Sequence, residues 1–219
     1  MLHYREYLLN DKNIERDVLK KVFNNRVMEP DNFYQTGYEY IPFAKDRTFA
    51  LETILASVIK LDKELLIINS GEESILPVEL CLANDINYKV VKTVNNSPDQ
   101  DKIQVAVNNN PNITHACISL TDETLRSFDL NNTITILNAH NIDTIIDFSG
   151  NVAALADIDI NSFDFLAGNT GYNNVSFVAA RRNKLVLTEG NARSYAKDLH
   201  AFWQQTLHNR KRKIEPLYL

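Results

Sequence analysis

A series of short apolar runs constrains this chain more than any other feature. Glu64-Leu65-Leu66-Ile67-Ile68-Asn69, Tyr88-Lys89-Val90-Val91, the segment from Thr114 to Leu120, Thr144-Ile145-Ile146-Asp147-Phe148, Phe163-Asp164-Phe165-Leu166 and Val175-Ser176-Phe177-Val178-Ala179-Ala180 all have strand length. Several are apolar at consecutive positions, which suits strands covered on both faces. Between them lie helical patterns. Asp46 is placed to cap a helix carrying Leu51, Ile54, Leu55, Val58 and Ile59, and further helices are expected from about Glu72 to Ala83, Asp99 to Asn108, Leu130 to Asn138 and Ala192 to His208. Strands that alternate with helices predict an α/β fold, a mostly parallel sheet sandwiched by helices.

The chain has 219 residues, enough for a sizeable core, and it shows no internal repeat or low-complexity linker. Residues 1–39 read as an N-terminal helical and loop segment, with a helix from about Asn13 to Phe23, and residues 40–219 as the main domain. A net charge of −5 argues against nucleic acid as a partner, and the basic run Arg210-Lys211-Arg212-Lys213 reads as the solvated end of the last helix. No apolar run reaches bilayer length, and the residues after Met1 lack the apolar core of a signal peptide, so no membrane and a cytoplasmic location are expected. Cys81 and Cys117 sit among apolar neighbours and read as buried reduced thiols. The histidines, among them His115, His140, His200 and His208, show no metal-ligand spacing. Gly168 and Gly171 are expected to form a turn.

Taken in order, several stretches resemble the large domain of the class V aminotransferases, pyridoxal-phosphate enzymes of fold type I. The 2-aminoethylphosphonate–pyruvate branch is the most similar. Thr48-Phe49-Ala50-Leu51-Glu52 resembles the helix after the phosphate-binding turn, and Lys63 to Gly71 the next strand and turn. Asn112 to Ile118 resembles the strand entering the cofactor loop, with Asp122 and Glu123 near that loop's acid. Ile145-Ile146-Asp147 matches the strand whose acid holds the pyridine nitrogen. Asp164-Phe165-Leu166 and Phe177 to Arg182 flank the place of the Schiff-base lysine, and Glu189 to Ser194, Asp198-Leu199 and Trp203 resemble the helix leaving the domain. The resemblance implies an aspartate-aminotransferase-like large domain over residues 40–219.

The same resemblance exposes three departures. No lysine occurs between Asp164 and Ala180; aligned without a gap, Tyr172 falls at its place, and a phenol with a pKa near 10 is neither an amine nor a base at neutral pH. Lys184 lies beyond the next strand. Where the family has a Ser-Gly-Thr-like turn, this chain reads Lys45-Asp46-Arg47-Thr48, with no glycine to let backbone N–H groups approach a phosphate. The chain also stops at Leu219, about where the family's C-terminal small domain begins, so that domain is expected to be absent.

The expectation is a degenerate aminotransferase-like protein without transaminase activity, acting as a binding or assembly subunit. Its implied partner is a second copy or a complete aminotransferase relative. Tyr34, Tyr38, Tyr40 and Phe43 are candidates for the pairing face or for the core. No catalytic residue and no metal are assigned. Two alternatives keep the cofactor. One is noncovalent binding of pyridoxal phosphate or its amine form at Asp147, Thr48, Arg47 and Lys45; the other is a pyridoxal-phosphate-dependent 2-aminoethylphosphonate–pyruvate transaminase.

Overall fold

Each of the apolar runs becomes a strand of one seven-stranded sheet. The computed structural model describes residues 36–69, 75–93, 98–151, 154–155, 162–170 and 175–214. The expected helix at Asn13–Phe23 and the positions of Tyr34, Gly171 and Tyr172 lie outside them. In chain order the elements are β1 (Tyr38–Phe43), α1 (Arg47–Val58), β2 (Glu64–Asn69), α2 (Ile75–Ala83), β3 (Asn87–Lys92), α3 (Gln100–Asn108), β4 (Ile113–Leu120), α4 (Asp122–Ser127), α5 (Leu130–Ala139), β5 (Asp143–Phe148), β6 (Phe165–Asn169), β7 (Ser176–Arg181), α6 (Arg182–Val186) and α7 (Leu199–Ile214).

The strand order is β1-β7-β6-β5-β4-β2-β3. All pairings are parallel except those of β7, which runs against both β6 and β1. The exception follows from chain length. Only the short link from Thr170 to Val175 joins β6 to β7, and a parallel crossover needs about a dozen residues or more. Thr170 closes this hairpin by donating from both its N–H and its hydroxyl to the Val175 carbonyl, at 3.1 and 2.9 Å. Gly168 is therefore a strand residue of β6 rather than part of the turn. A side chain there would collide with the Phe177 ring, which comes within 2.8 Å of where a Cβ would stand.

Core side chains fill both faces, as the non-alternating runs require. Along β5, Ile145 packs on the α1 side and Ile146 on the α5 side. Tyr38, Tyr40 and Phe43 are core residues at 1%, 1% and 3% exposure. Helix α1 is buried almost all round, with Leu51, Ile54 and Leu55 fully enclosed between the sheet and α7. Its polar residues are satisfied locally: the Thr53 hydroxyl donates to the Phe49 carbonyl at 2.7 Å, and Ser57 links the Lys197 carbonyl to the Leu199 N–H.

The last helix begins at Leu199, not at Ala192. Asp198 starts it by accepting the Ala201 N–H at 3.0 Å, and a separate 3-10 turn over Tyr195–Lys197 precedes it. The segment from Ala192 to Ser194 has a different task. The Arg193 guanidinium donates to the carbonyls of Asn84 and Asp85 after α2, and of Ile59 and Lys60 after α1, at 2.9–3.3 Å. One cation thus closes two helix C-termini, where unpaired carbonyls concentrate negative charge. Among the described residues no helix is long and apolar enough to cross a membrane.

Replacing Arg193 by Met keeps much of the bulk and removes the four donated bonds. Urea unfolding of Arg193→Met should show a loss of about 3 kcal/mol, with the fold retained at 25 °C. A change under about 0.5 kcal/mol would match an ordinary surface substitution and contradict the capping role.

Candidate functional site

Six of the seven strands run the same way, so their carboxyl ends share one edge of the sheet. That edge is where open α/β sheets gather ligand sites. It also receives the start of α1 and the start of β7, which are joined by the Ser176 hydroxyl donating to the Asp46 carbonyl at 2.9 Å. Asp147 is the next-to-last residue of β5, in register with Ser119 on β4 and Ala167 on β6. Side chains alternate along a strand, so Asp147 shares the α1-facing side with Ile145.

Asp147 is 1% exposed. A bare carboxylate at that depth is strongly unfavourable, so it has to be met by charge and hydrogen bonds. Arg47, the first residue of α1, donates from Nη1 to Oδ1 in a salt bridge. Ser119 donates its hydroxyl to Oδ2 at 3.4 Å. The pair also bears on Cys117, two positions before Ser119 on the same side of β4. Its thiol is held well above the usual range, chiefly by burial, with Asp147 adding to the rise and Arg47 opposing it. Burial pushes the Cys81 thiol up to about 12. Both cysteines are free and buried, and neither is a thiolate nucleophile at neutral pH.

The sequence-predicted residues thus divide. Asp147 and Arg47 come together. Thr48 and Lys45 instead line a hollow of about 350 Å³ beside the first turn of α1, with Asp46, Glu52 and Lys197, and Asp147 is not part of its wall. Asp122 lies at the start of α4 and accepts the Asn151 N–H at 2.9 Å, tying the loop after β5 to the loop after β4. Ser119 was not singled out by sequence reasoning. Its signal was its place one residue before the end of a strand parallel to the one bearing Asp147.

The resemblance implies pyridoxal phosphate, and two groups at this edge would oppose it. A pyridine nitrogen would meet an Asp147 carboxylate whose Oδ1 already accepts from Arg47. A phosphate needs N–H groups at the start of α1, where Asp46 caps the helix by accepting the Phe49 N–H at 3.1 Å and adds a negative charge of its own. The nearest downstream lysine is at the wrong end of the sheet. Lys184 lies on α6 in an ion pair with Asp143, which begins β5. From Asp143 to Asp147 the strand advances about 13 Å.

No family model matches the chain. It is 26% identical over 179 residues, 78% of its length and 47% of the relative's, to the 2-aminoethylphosphonate–pyruvate transaminase of Aeromonas hydrophila. It spans about half the length of the curated relatives it matches. Among solved structures it superposes on alanine–glyoxylate aminotransferase from Nostoc with a TM-score of 0.69 at 10% identity, over 93% of this chain and 53% of that one. Against aspartate aminotransferase from Thermus thermophilus the TM-score is 0.55 at 12% identity, over 94% and 63%. This is the aspartate-aminotransferase-like fold. Within this fold Asp147 stands near the carboxyl end of β5, met by Arg47 and Ser119.

A second charged cluster lies at the opposite edge of the aminotransferase-like sheet. Asp164 accepts the Thr144 N–H at 2.9 Å and pairs with Arg181 at 3.3 Å; burial nevertheless holds its carboxyl above the usual range. His115 faces Asp143 at 3.7 Å and Thr114 at 2.9 Å. Burial, then the nearby Lys184 charge, lowers its pKa to about 4, so its approach to Asp143 is not an ion pair at pH 7. Among the described residues no cluster of histidine, cysteine and acidic side chains is arranged to hold a metal.

Two measurements check these assignments. Arg47→Met leaves Asp147 buried without its cation and should cost about 3–5 kcal/mol in urea unfolding at pH 7; a loss below about 1 kcal/mol would mean that the pair is not enclosed. His115 binds its proton more weakly folded than unfolded, so its contribution is complete above pH 6.5 and is lost as pH falls toward about 4. That window is worth up to about 3 kcal/mol. His115→Gln should flatten the fall between those pH values; an unchanged acid profile would contradict the assignment.

Proposed function

We propose that this chain is an aminotransferase-like scaffold that does not transaminate and serves as a binding or assembly subunit. One observation carries the first half. The segment where the fold would present its amine, between Asp164 and Ala180, contains no lysine, and Lys184 beyond it is paired with Asp143 at the other edge of the sheet. Proton transfer and carbonyl attack need reacting atoms within about 3–3.5 Å. A displacement of about 13 Å along β5 is not recovered by a rotamer change.

The assembly half rests on exposed apolar side chains around the Arg193 clasp. Leu61, Leu82, Leu187 and Tyr195 are 79%, 66%, 67% and 96% exposed. Leu61 and Leu82 stand within two residues of carbonyls that Arg193 holds, Tyr195 follows Arg193 by two, and the Leu187 carbonyl accepts from Asn191 at 2.6 Å. Large apolar side chains gathered at one end of a domain suit a protein contact. The partner in this reading is a second copy or a complete aminotransferase relative.

The two halves are tested apart. Purified chain supplied with 2-aminoethylphosphonate, pyruvate and excess pyridoxal phosphate should form alanine no faster than the cofactor alone; saturable turnover overturns the first half. Sedimentation at micromolar concentration should show self-association, or association with a complete aminotransferase relative added to the cell. A single monomeric species under both conditions overturns the second.

A further inference from the structure

Arg47 can be understood as a ligand that the chain carries with it. Asp147 offers a buried carboxylate at the end of a central strand. It lies in a cross-sheet row of Ser119, Asp147, Ala167 and Val178, in which Ser119 is the one other polar member. The opposing element is α1, which is packed against the sheet through fully buried Leu51 and Ile54 and so has little freedom to withdraw. The Arg47 guanidinium meets the carboxylate, entering from the first position of α1, with its side chain 17% exposed. A guanidinium is planar, keeps its charge at any working pH and donates N–H bonds in its own plane. Arg47 stands directly before Thr48 at the start of α1.

We propose that Asp147, with Ser119, forms a slot for a planar N–H-donating monocation, and that Arg47 fills this slot permanently from within the chain. The slot's chemistry is that of a guanidinium, an amidinium or a protonated aromatic amine. External cations of this class, a protonated pyridine ring included, are excluded because the internal one is covalently present at high effective concentration. The inference rests on the non-transaminating reading of the site, but it concerns occupancy and not turnover.

Trimming the arginine should open the slot. Arg47→Gly removes the side chain and leaves α1 its Asp46 cap. The probe is methylguanidinium, the detached head of the missing side chain, and the readout is thermal unfolding at millimolar probe. Methylguanidinium should raise the melting temperature of Arg47→Gly saturably, with an apparent affinity at least about tenfold tighter than any effect on the unmodified chain. Methylammonium, which has the same charge without the plane, should do markedly less. Pyridoxamine, a phosphate-free ring with a basic nitrogen, should compete with methylguanidinium for the variant only.

If Arg47→Gly does not fold alone, its recovery on refolding with methylguanidinium is scored instead, and recovery supports the slot. The double variant Arg47→Gly/Asp147→Asn carries no buried charge to be answered. It should fold without a cation and ignore methylguanidinium. Equal responses from Arg47→Gly and the unmodified chain, failure of methylguanidinium to stabilise or rescue Arg47→Gly, or an undiminished response in the double variant would each overturn the proposal. Alanine formation by the unmodified chain would defeat the non-transaminating reading and leave these results to be judged by themselves.

Discussion

A carboxylate 1% exposed between a sheet and a helix buried on nearly every side can persist as an ion only if a cation is delivered to it, and the start of α1 is built to deliver one. Asp46 caps the helix, the next residue is Arg47, and the guanidinium reaches Asp147. The helix beyond is held by Leu51, Ile54 and Leu55 against the sheet and by Arg193 at its far end. The ion pair thus joins a central strand to a helix whose residues from Ala50 to Val58 are nearly all buried. Its strength comes from the same low-dielectric surroundings that would make either partner alone unfavourable.

The two edges of the sheet have been put to different uses. At the carboxyl edge, the buried acid Asp147 is met by Arg47 and Ser119. At the opposite edge, Asp143, Asp164, Arg181, Lys184 and a neutral His115 form a tighter charge-balanced cluster. Lys184 belongs to that second cluster, at the edge of the sheet away from Asp147. Likeness to aminotransferases at these identities establishes the architecture. What the architecture does here is set by the particular side chains at its carboxyl edge.

Much of the fold was legible in the sequence because consecutive apolar residues at strand length leave few alternatives to a sheet covered on both faces. β2 was readable to the residue, and β4 and β5 to within one. The antiparallel placement of β7 was legible in principle, since the link after Thr170 is too short for a crossover, but loop length was not weighed against strand direction. The start of α7 was misjudged because Ala192 and Ala196 look helical locally, while Arg193 is drawn away to cap α1 and α2. Gly168 read as turn because glycine usually does; its reason is the Phe177 ring across the hairpin. At the site, Asp147 and Arg47 were both picked out as candidates to hold a cofactor. Their contact with each other was not foreseen, because residues 100 positions apart pair through tertiary packing and leave no local pattern. Ser119 was missed for the same reason.

The central claim is that Arg47 and Asp147 form one enclosed unit that completes this edge of the sheet. A double-mutant cycle with Arg47→Met, Asp147→Asn and the combined variant, read by urea unfolding at pH 7, measures this directly as a coupling free energy. The account predicts that the two substitutions are strongly non-additive, with a coupling of about 2–3 kcal/mol and the combined variant more stable than Arg47→Met alone. Additivity to within about 0.5 kcal/mol would show that the two side chains act independently and would contradict it.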